Sequence, residues 1–318
     1  MIDIQDGNSR RLRQWWRDWL GAERDSHGTW TTRRRPDDPR GWQDSDLVLH
    51  SFGSDLGARL LRPTPSRPGE RSPVVIVPFY ETASLVGEPC ARTAHRPPDR
   101  PTQAYAVELA RRGLAALAVP WWFEVAAAHS PARNLSERYG PPAAAHAAAQ
   151  DRTALGRSLG DLFLAVDALL DQDWVDPARI GVHGHSLGGK LALHLTALDE
   201  RVAAGVAHEP GLGLQHSNWD APWYLGAHQP AGRDHDELLG LVAPRPFLIG
   251  AGGDSDGDHN ADLVQRATEW WPAGQGPEVL RHDGGHPLTE DVLAGTITWL
   301  SEALDRPSPA PPPAPPAA

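Results

Sequence analysis

Residues 179–198, RIGVHGHSLGGKLALHLTAL, place a Gly-x-Ser-x-Gly stretch where the hydrophobic pattern changes from strand to helix. That limits the chain to folds in which a buried strand turns sharply into a helix with a serine at the turn. Such a serine takes a strained backbone, and the flanking Gly184 and Gly188 leave room for the bend. The helix that follows points free N–H groups and partial positive charge at the serine. Ser186 is therefore a candidate nucleophile, and the N–H of Leu187 falls where an oxyanion would form. The competing reading is a glycine-rich loop that only packs a helix on a sheet.

The rest of the chain supplies strands and helices in alternation. Apolar runs at 74–77, 114–119, 179–185, 203–208, 246–250 and 279–282 read as buried strands. Between them, 103–112, 153–170, 191–198 and 289–304 carry a helical period. This order predicts an α/β fold with a doubly wound, mostly parallel sheet covered by helices on both faces. Residues 47–50 and 58–61 read as an edge hairpin, and 8–22 as an amphipathic helix followed by a polar stretch over 23–45. The expected organisation is an N-terminal helical and extended segment over 1–45, one catalytic domain over 46–304, and a disordered Pro/Ala tail over 305–318. No internal repeat is visible.

Composition narrows the function classes. A chain of 318 residues, 40% hydrophobic and 22% charged, needs no staples to build a core. The net charge of −11 argues against nucleic acid or an anionic membrane as partner. Cys90 is the only cysteine, so no intramolecular disulfide or cysteine zinc cluster can form. With no signal-like apolar region at the N-terminus and no run long enough to span a bilayer, a cytoplasmic location is expected.

A serine nucleophile needs a base and an acid, which on such a fold follow in that sheet's later loops. His286, in RHDGGHP between the last strand and the last helix, is the expected base, and Gly284-Gly285 lets its loop bend back. His282 lies inside the strand pattern and reads as structural; His183 and His185 read as shaping the serine turn. For the acid, Asp254, Asp256 and Asp258 compete in AGGDSDGDHN. Gly-x-x-Asp spacing from Gly253 favours Asp256, with Asp254 the alternative. A calcium loop starting at Asp254 fails, because its sixth and twelfth positions are His259 and Gln265. No metal and no cofactor are expected. The second oxyanion donor is expected from the loop after 74–77, at the N–H of Tyr80. Trp121 and Trp122 follow the next strand, at the carboxyl end of the sheet where ligands bind.

Several stretches together resemble a known family: DPARIGVHGHSLGGK, ALDERV, SNWDAPWYLG and LVAPRPFLIG are similar to segments of dienelactone-hydrolase-like and acetylxylan-esterase-like α/β hydrolases. The resemblance covers about 45–303 and is strongest at 174–257. It implies the α/β-hydrolase fold and a serine carboxylesterase that removes small acyl groups from a small-molecule ester by two-step acyl transfer. Dienelactone hydrolases proper carry Cys where this chain has Ser186. Asn218, Trp219, Trp223 and Tyr224 could line a substrate pocket or belong to a structural insert. A peptidase, thioesterase or lactonase on the same fold, or a non-catalytic binding descendant, are the alternatives.

Overall fold

The computed structural model describes residues 2–64, 69–90, 101–132, 134–150 and 152–306. Nine strands form one sheet: β1 Thr29–Arg34, β2 Trp42–Ser51, β3 Ser54–Pro63, β4 Ser72–Phe79, β5 Ala115–Pro120, β6 Val175–His185, β7 Ala204–His208, β8 Phe247–Ala251 and β9 Glu278–Arg281. Their order across the sheet is β1-β2-β3-β5-β4-β6-β7-β8-β9. β1 to β3 run antiparallel, β3 joins β5 antiparallel, and β5 through β9 are parallel.

The middle strands are apolar throughout because both faces are covered. Val74, Val75, Ile76 and Val77 of β4 are all fully buried, and they divide alternately between two cores, one on each side. One core packs the helices Ala154–Leu170, Leu187–Leu198 and His235–Val242 on the sheet; the other packs Tyr105–Arg111 and Glu290–Asp305. Alternating burial in β2, by contrast, fits a strand near the edge.

The amphipathic N-terminal stretch forms the helix Ile2–Leu20, longer than 8–22 at its start. Its Trp16 is buried and donates its indole N–H to Glu237, 2.9 Å away. Arg13 donates to the carbonyls of Ala197 (2.9 Å) and Leu241 (3.1 Å), at the C-terminal ends of two core helices. A guanidinium there meets carbonyls that have no intrahelical partner and the negative end of each helix dipole.

Two expectations need correction. The polar stretch 23–45 contains β1, paired with β2 from Thr29 opposite His50 to Arg34 opposite Ser45. Thr-Trp-Thr-Thr is a strand-forming run, and on an outermost strand the outward side chains stay polar. The last strand ends at Arg281, so His282 stands in the loop after it. The tail beyond residue 306 lies outside the described residues.

Candidate active site

The expected nucleophile, base, acid and oxyanion donors stand in the segments that follow the carboxyl ends of the parallel strands. β6 ends at His185, Ser186 takes φ 55° and ψ −115°, and the helix Leu187–Leu198 begins at the next residue. Positive φ is costly for a residue with a Cβ and persists only where the surroundings enforce it. Two things enforce it here. The Ser186 N–H donates to the carbonyl of His208 at 2.9 Å, tying the turn to β7. The glycines then allow an approach that no other residue could: a Cβ on Gly184 would overlap the Gly188 carbonyl, and one on Gly188 would overlap the Pro78 carbonyl of β4. Gly184→Ala cannot be relieved by a rotamer change, since both clashing groups are backbone. It is expected to destabilise the chain by more than about 3 kcal/mol, read as a Tm fall of roughly 6 °C or more. A Tm within 2 °C of wild type, to within about that experimental error, would contradict this account of the turn.

The close approach at Gly188 brings the start of the helix against the end of β4. Leu187 is the first residue of its helix, so its N–H has no acceptor within the helix. Tyr80 directly follows β4, and its carbonyl accepts the N–H of Trp121 at 3.2 Å. Its ring packs on Phe79, Trp121 and Tyr139, with centroids 5.0, 5.9 and 6.2 Å away.

His286 lies half-open on its loop, with 36% of its side chain exposed. Its carbonyl accepts the Nε2–H of His185 at 2.8 Å, and His185 Nδ1 faces the Tyr105 hydroxyl at 2.9 Å. Since a carbonyl can only accept, His185 carries its proton on Nε2 and takes the tyrosine proton on Nδ1. The residue before Ser186 thus holds the backbone of His286. Burial pushes the His185 imidazole down to about 3, with the neighbouring His286 adding to it, so it stays neutral.

At the acid the structure brings in a carboxylate that the sequence reading did not weigh. Asp256 is fully buried, and its bonds go to the loop after β7 and to Asn260. Its carboxylate accepts the N–H groups of Gly211 (2.5 Å) and Leu212 (2.8 Å) and the Asn260 amide (2.5 Å). Burial raises its pKa from the ordinary aspartate value despite those donors. Asp254 is exposed on the same loop, and Asp258, exposed too, pairs with Arg281 at 2.9 Å. The carboxylate that faces His286 is Glu209, the first residue after β7: its Oε2 is 3.5 Å from His286 Nδ1. Ser255 Oγ lies 3.3 Å from the same nitrogen.

Glu209 is held as firmly as Ser186. It too has positive φ, at 50°, and its buried carboxylate accepts the N–H groups of Gly252 and Ser255, each at 2.5 Å. Burial alone would raise its pKa, but His286 and those two N–H groups outweigh it and hold the carboxyl below the usual glutamate range. The two carboxylates exchange grips. Glu209, on the β7 loop, takes N–H groups of the β8 loop, and Asp256, on the β8 loop, takes N–H groups of the β7 loop. Because β7 and β8 are neighbours, an acid at the end of either strand can reach the same space. Glu209 was legible only as a lone carboxylate at the carboxyl end of a predicted strand, in His-Glu-Pro-Gly.

The five expected pocket aromatics divide. Trp121, Trp223 and Tyr224 are buried behind Tyr80: Trp121 meets Tyr139 edge-to-face at 4.9 Å and Tyr139 meets Trp223 at 5.8 Å. Trp219, eleven residues past the end of β7, is fully buried in the core. Its indole donates to the Gly211 carbonyl at 2.7 Å and the Lys190 ammonium sits 3.7 Å from its ring centroid. Trp122 turns toward the edge hairpin and donates to Ser54 at 3.0 Å. These rings form the wall supporting Tyr80 and the loop after Glu209 more than an open lining. Among the described residues no group of three His, Cys, Asp or Glu side chains is placed to hold a metal ion, and no helix is long and apolar enough to cross a membrane.

Solved structures share this architecture across most of the chain. A glucuronoyl esterase from Solibacter usitatus superposes with a TM-score of 0.64 at 16% identity, covering 92% of each chain. Acetyl xylan esterase 1 from Thermoanaerobacterium sp. superposes at 0.59 and 16% identity, covering 92% of this chain and 93% of that one. The chain has the α/β-hydrolase fold. Within that fold, residues 145–238 match the prolyl oligopeptidase family, a span that runs through the serine turn and Glu209. YtaP of Bacillus subtilis, a protein named as a hydrolase, is 26% identical over 161 residues, 47% of this chain and 54% of that one. The chain therefore spans about half the length of this curated relative.

Proposed function

We propose that the chain is a serine carboxylesterase that removes a small acyl or alkyl group from a carbohydrate ester, with Ser186, His286 and Glu209 as its triad. The observation that carries this reading is the joint geometry of two strained residues. Ser186 and Glu209 both hold positive φ, at 55° and 50°, just past adjacent strands; His286 Nδ1 stands 3.5 Å from Glu209 Oε2, and the His286 carbonyl is held by His185, the residue before Ser186. Glu209 takes the role that spacing alone gave to Asp256.

In the first half-reaction His286 Nε2 takes the Ser186 proton as Oγ attacks the ester carbonyl. The N–H groups of Leu187 and Tyr80 receive the developing oxyanion. Glu209 fixes the proton on Nδ1 and stabilises the imidazolium as it forms. His286 then protonates the leaving alcohol, and the acyl group stays on Ser186. In the second half-reaction His286 takes a proton from water, hydroxide adds to the acyl carbon, and Ser186 leaves with its proton restored. The 3.5 Å separation from Glu209 is long for a hydrogen bond, as unliganded triads often are.

The carbohydrate part rests on the names of the structural neighbours, which are glucuronoyl and acetyl xylan esterases. The family match keeps a peptidase as the second reading. A panel of p-nitrophenyl acetate, an acetylated xylo-oligosaccharide, a methyl glucuronate and an alanyl-proline amide separates them. The expected result is ester turnover with kcat/KM at least roughly 100-fold above the amide, about 3 kcal/mol of discrimination. Amide hydrolysis equal to or faster than every ester would overturn the esterase reading.

A further inference from the structure

We propose that His208 and His282 form a hydrogen-bonded pair whose function is to position the catalytic loop, each acting through His286 and Glu209 and neither touching substrate. The inference rests on the triad reading above and adds two positioning residues to it. His208 is the last residue of β7, immediately before Glu209; His282 follows β9, four positions before His286. Their Nε2 atoms are 2.8 Å apart and the rings are nearly coplanar, at 15°. The pair thus ties the root of the acid loop directly to the root of the base loop.

The proton positions follow from the neighbours. The Gly284 N–H donates to His282 Nδ1 at 3.1 Å, so His282 carries its proton on Nε2 and gives it to His208. His208 must then carry its own proton on Nδ1, a buried atom without a hydrogen-bond partner among the described residues. An orphaned buried N–H is a cost that most structures avoid; here it is retained on the ring that completes the bridge. Burial, reinforced by His185, His282, His183 and His286, depresses His208 to about 2, so the His208 ring is neutral wherever the enzyme would work.

Neighbouring glycines leave the space the two rings occupy. A Cβ on Gly250 would lie 2.6 Å from the His208 ring, and one on Gly252 2.8 Å from the His282 ring. The flanking backbone is cross-tied at the same level: Glu209 N–H donates to Gly250 at 2.9 Å and His282 N–H to Ala251 at 3.1 Å. With the grip of His185 on the His286 carbonyl, the loop 282–286 is fixed at both ends, and His282 Nδ1 holds the Gly284 N–H in the turn between them.

Two substitutions divide the contacts of His282. His282→Asn keeps an oxygen for the Gly284 N–H but is too short to reach His208, whereas His282→Gln places an amide N–H near the position of Nε2. On the ester that wild type hydrolyses best, His282→Asn is expected to lower kcat by about 10- to 100-fold with KM within about threefold, the scale of an ångström-level misplacement of a catalytic group. His282→Gln is expected to recover most of that loss. Equal kcat in wild type and His282→Asn, with His286→Ala inactive, would overturn the pair's role while leaving the triad standing. Activity in His286→Ala would overturn both. Nitrogen-15 spectra of histidine-labelled wild type supply a test that does not depend on the variants folding, with His208→Gln and His282→Asn used only for assignment. An Nδ1–H tautomer at His208, with the proton between the rings on His282 Nε2, is expected; the reverse pair, or a charged His208 ring, would overturn the proposal.

Discussion

Ser186→Ala is expected to abolish ester hydrolysis while leaving the fold intact, with a loss in kcat on the order of 10⁴-fold or more. The hydroxyl is a small, partly exposed group at the turn, and the positive φ is imposed by Gly184, Gly188 and the bond to the His208 carbonyl, none of which involves Oγ. Alanine pays the same backbone strain as serine, so the Tm should move by no more than about 2 °C. The measurement is steady-state turnover of p-nitrophenyl acetate by a preparation shown free of contaminating esterase. Turnover within about tenfold of wild type would remove Ser186 from the mechanism.

The second large effect separates the two buried carboxylates. Glu209→Gln should lower kcat by roughly 10³- to 10⁴-fold with little change in KM, because an amide neither holds the proton on His286 Nδ1 nor stabilises the imidazolium. Asp256→Asn should leave kcat within about tenfold, since its carboxylate serves the backbone of the β7 loop. Its cost should appear in stability instead: one charge-assisted bond to a backbone N–H is weakened or lost, about 2 kcal/mol. Turnover and thermal denaturation of both variants decide the matter. A crippled Asp256→Asn beside a nearly normal Glu209→Gln would restore the acid to the β8 loop and require the triad to be redrawn.

Why the sequence pointed to Ser186 and His286 but did not single out the carboxylate that faces His286 is itself physical. The serine turn writes three local demands into consecutive residues: an apolar strand, two glycines where backbones touch, and a helical period afterwards. Gly184 and Gly188 are glycines for the reason their spacing implies. The loop of His286 is bounded by a strand and a helix, so its position followed from order alone. The acid has no such local signature. It needs only a carboxylate at the end of one of two neighbouring strands, and which of Glu209 and Asp256 turns toward His286 depends on the reciprocal bonds between two loops 40 or more residues apart in sequence.

The same limit explains the other departures. β1 was missed because an outermost strand needs no apolar alternation, only pairing with β2, and the short Thr-Trp-Thr-Thr run is a weak signal inside a polar, Arg-rich stretch. His282 was placed in the last strand because Val-Leu-Arg-His continues an extended pattern, but its ring is required by His208, a partner from β7. The aromatic residues were recognised as belonging to the carboxyl end of the sheet, yet their depth was not legible. Trp219 and Trp121 each find a buried acceptor for the indole N–H, Gly211 and Ser158 respectively, and that permits burial of a ring that might otherwise face a ligand from the surface.

The most direct test of the central claim is covalent. Wild-type protein treated with a fluorophosphonate and digested should carry one adduct per chain, on the peptide containing Ser186, and the rate of labelling should fall in parallel with kcat in Glu209→Gln. That result requires an activated serine at the turn and makes its activation depend on the carboxylate that faces His286. An adduct on any other serine, no adduct at all, or labelling of Ser186 that proceeds as fast without Glu209 as with it would contradict the account.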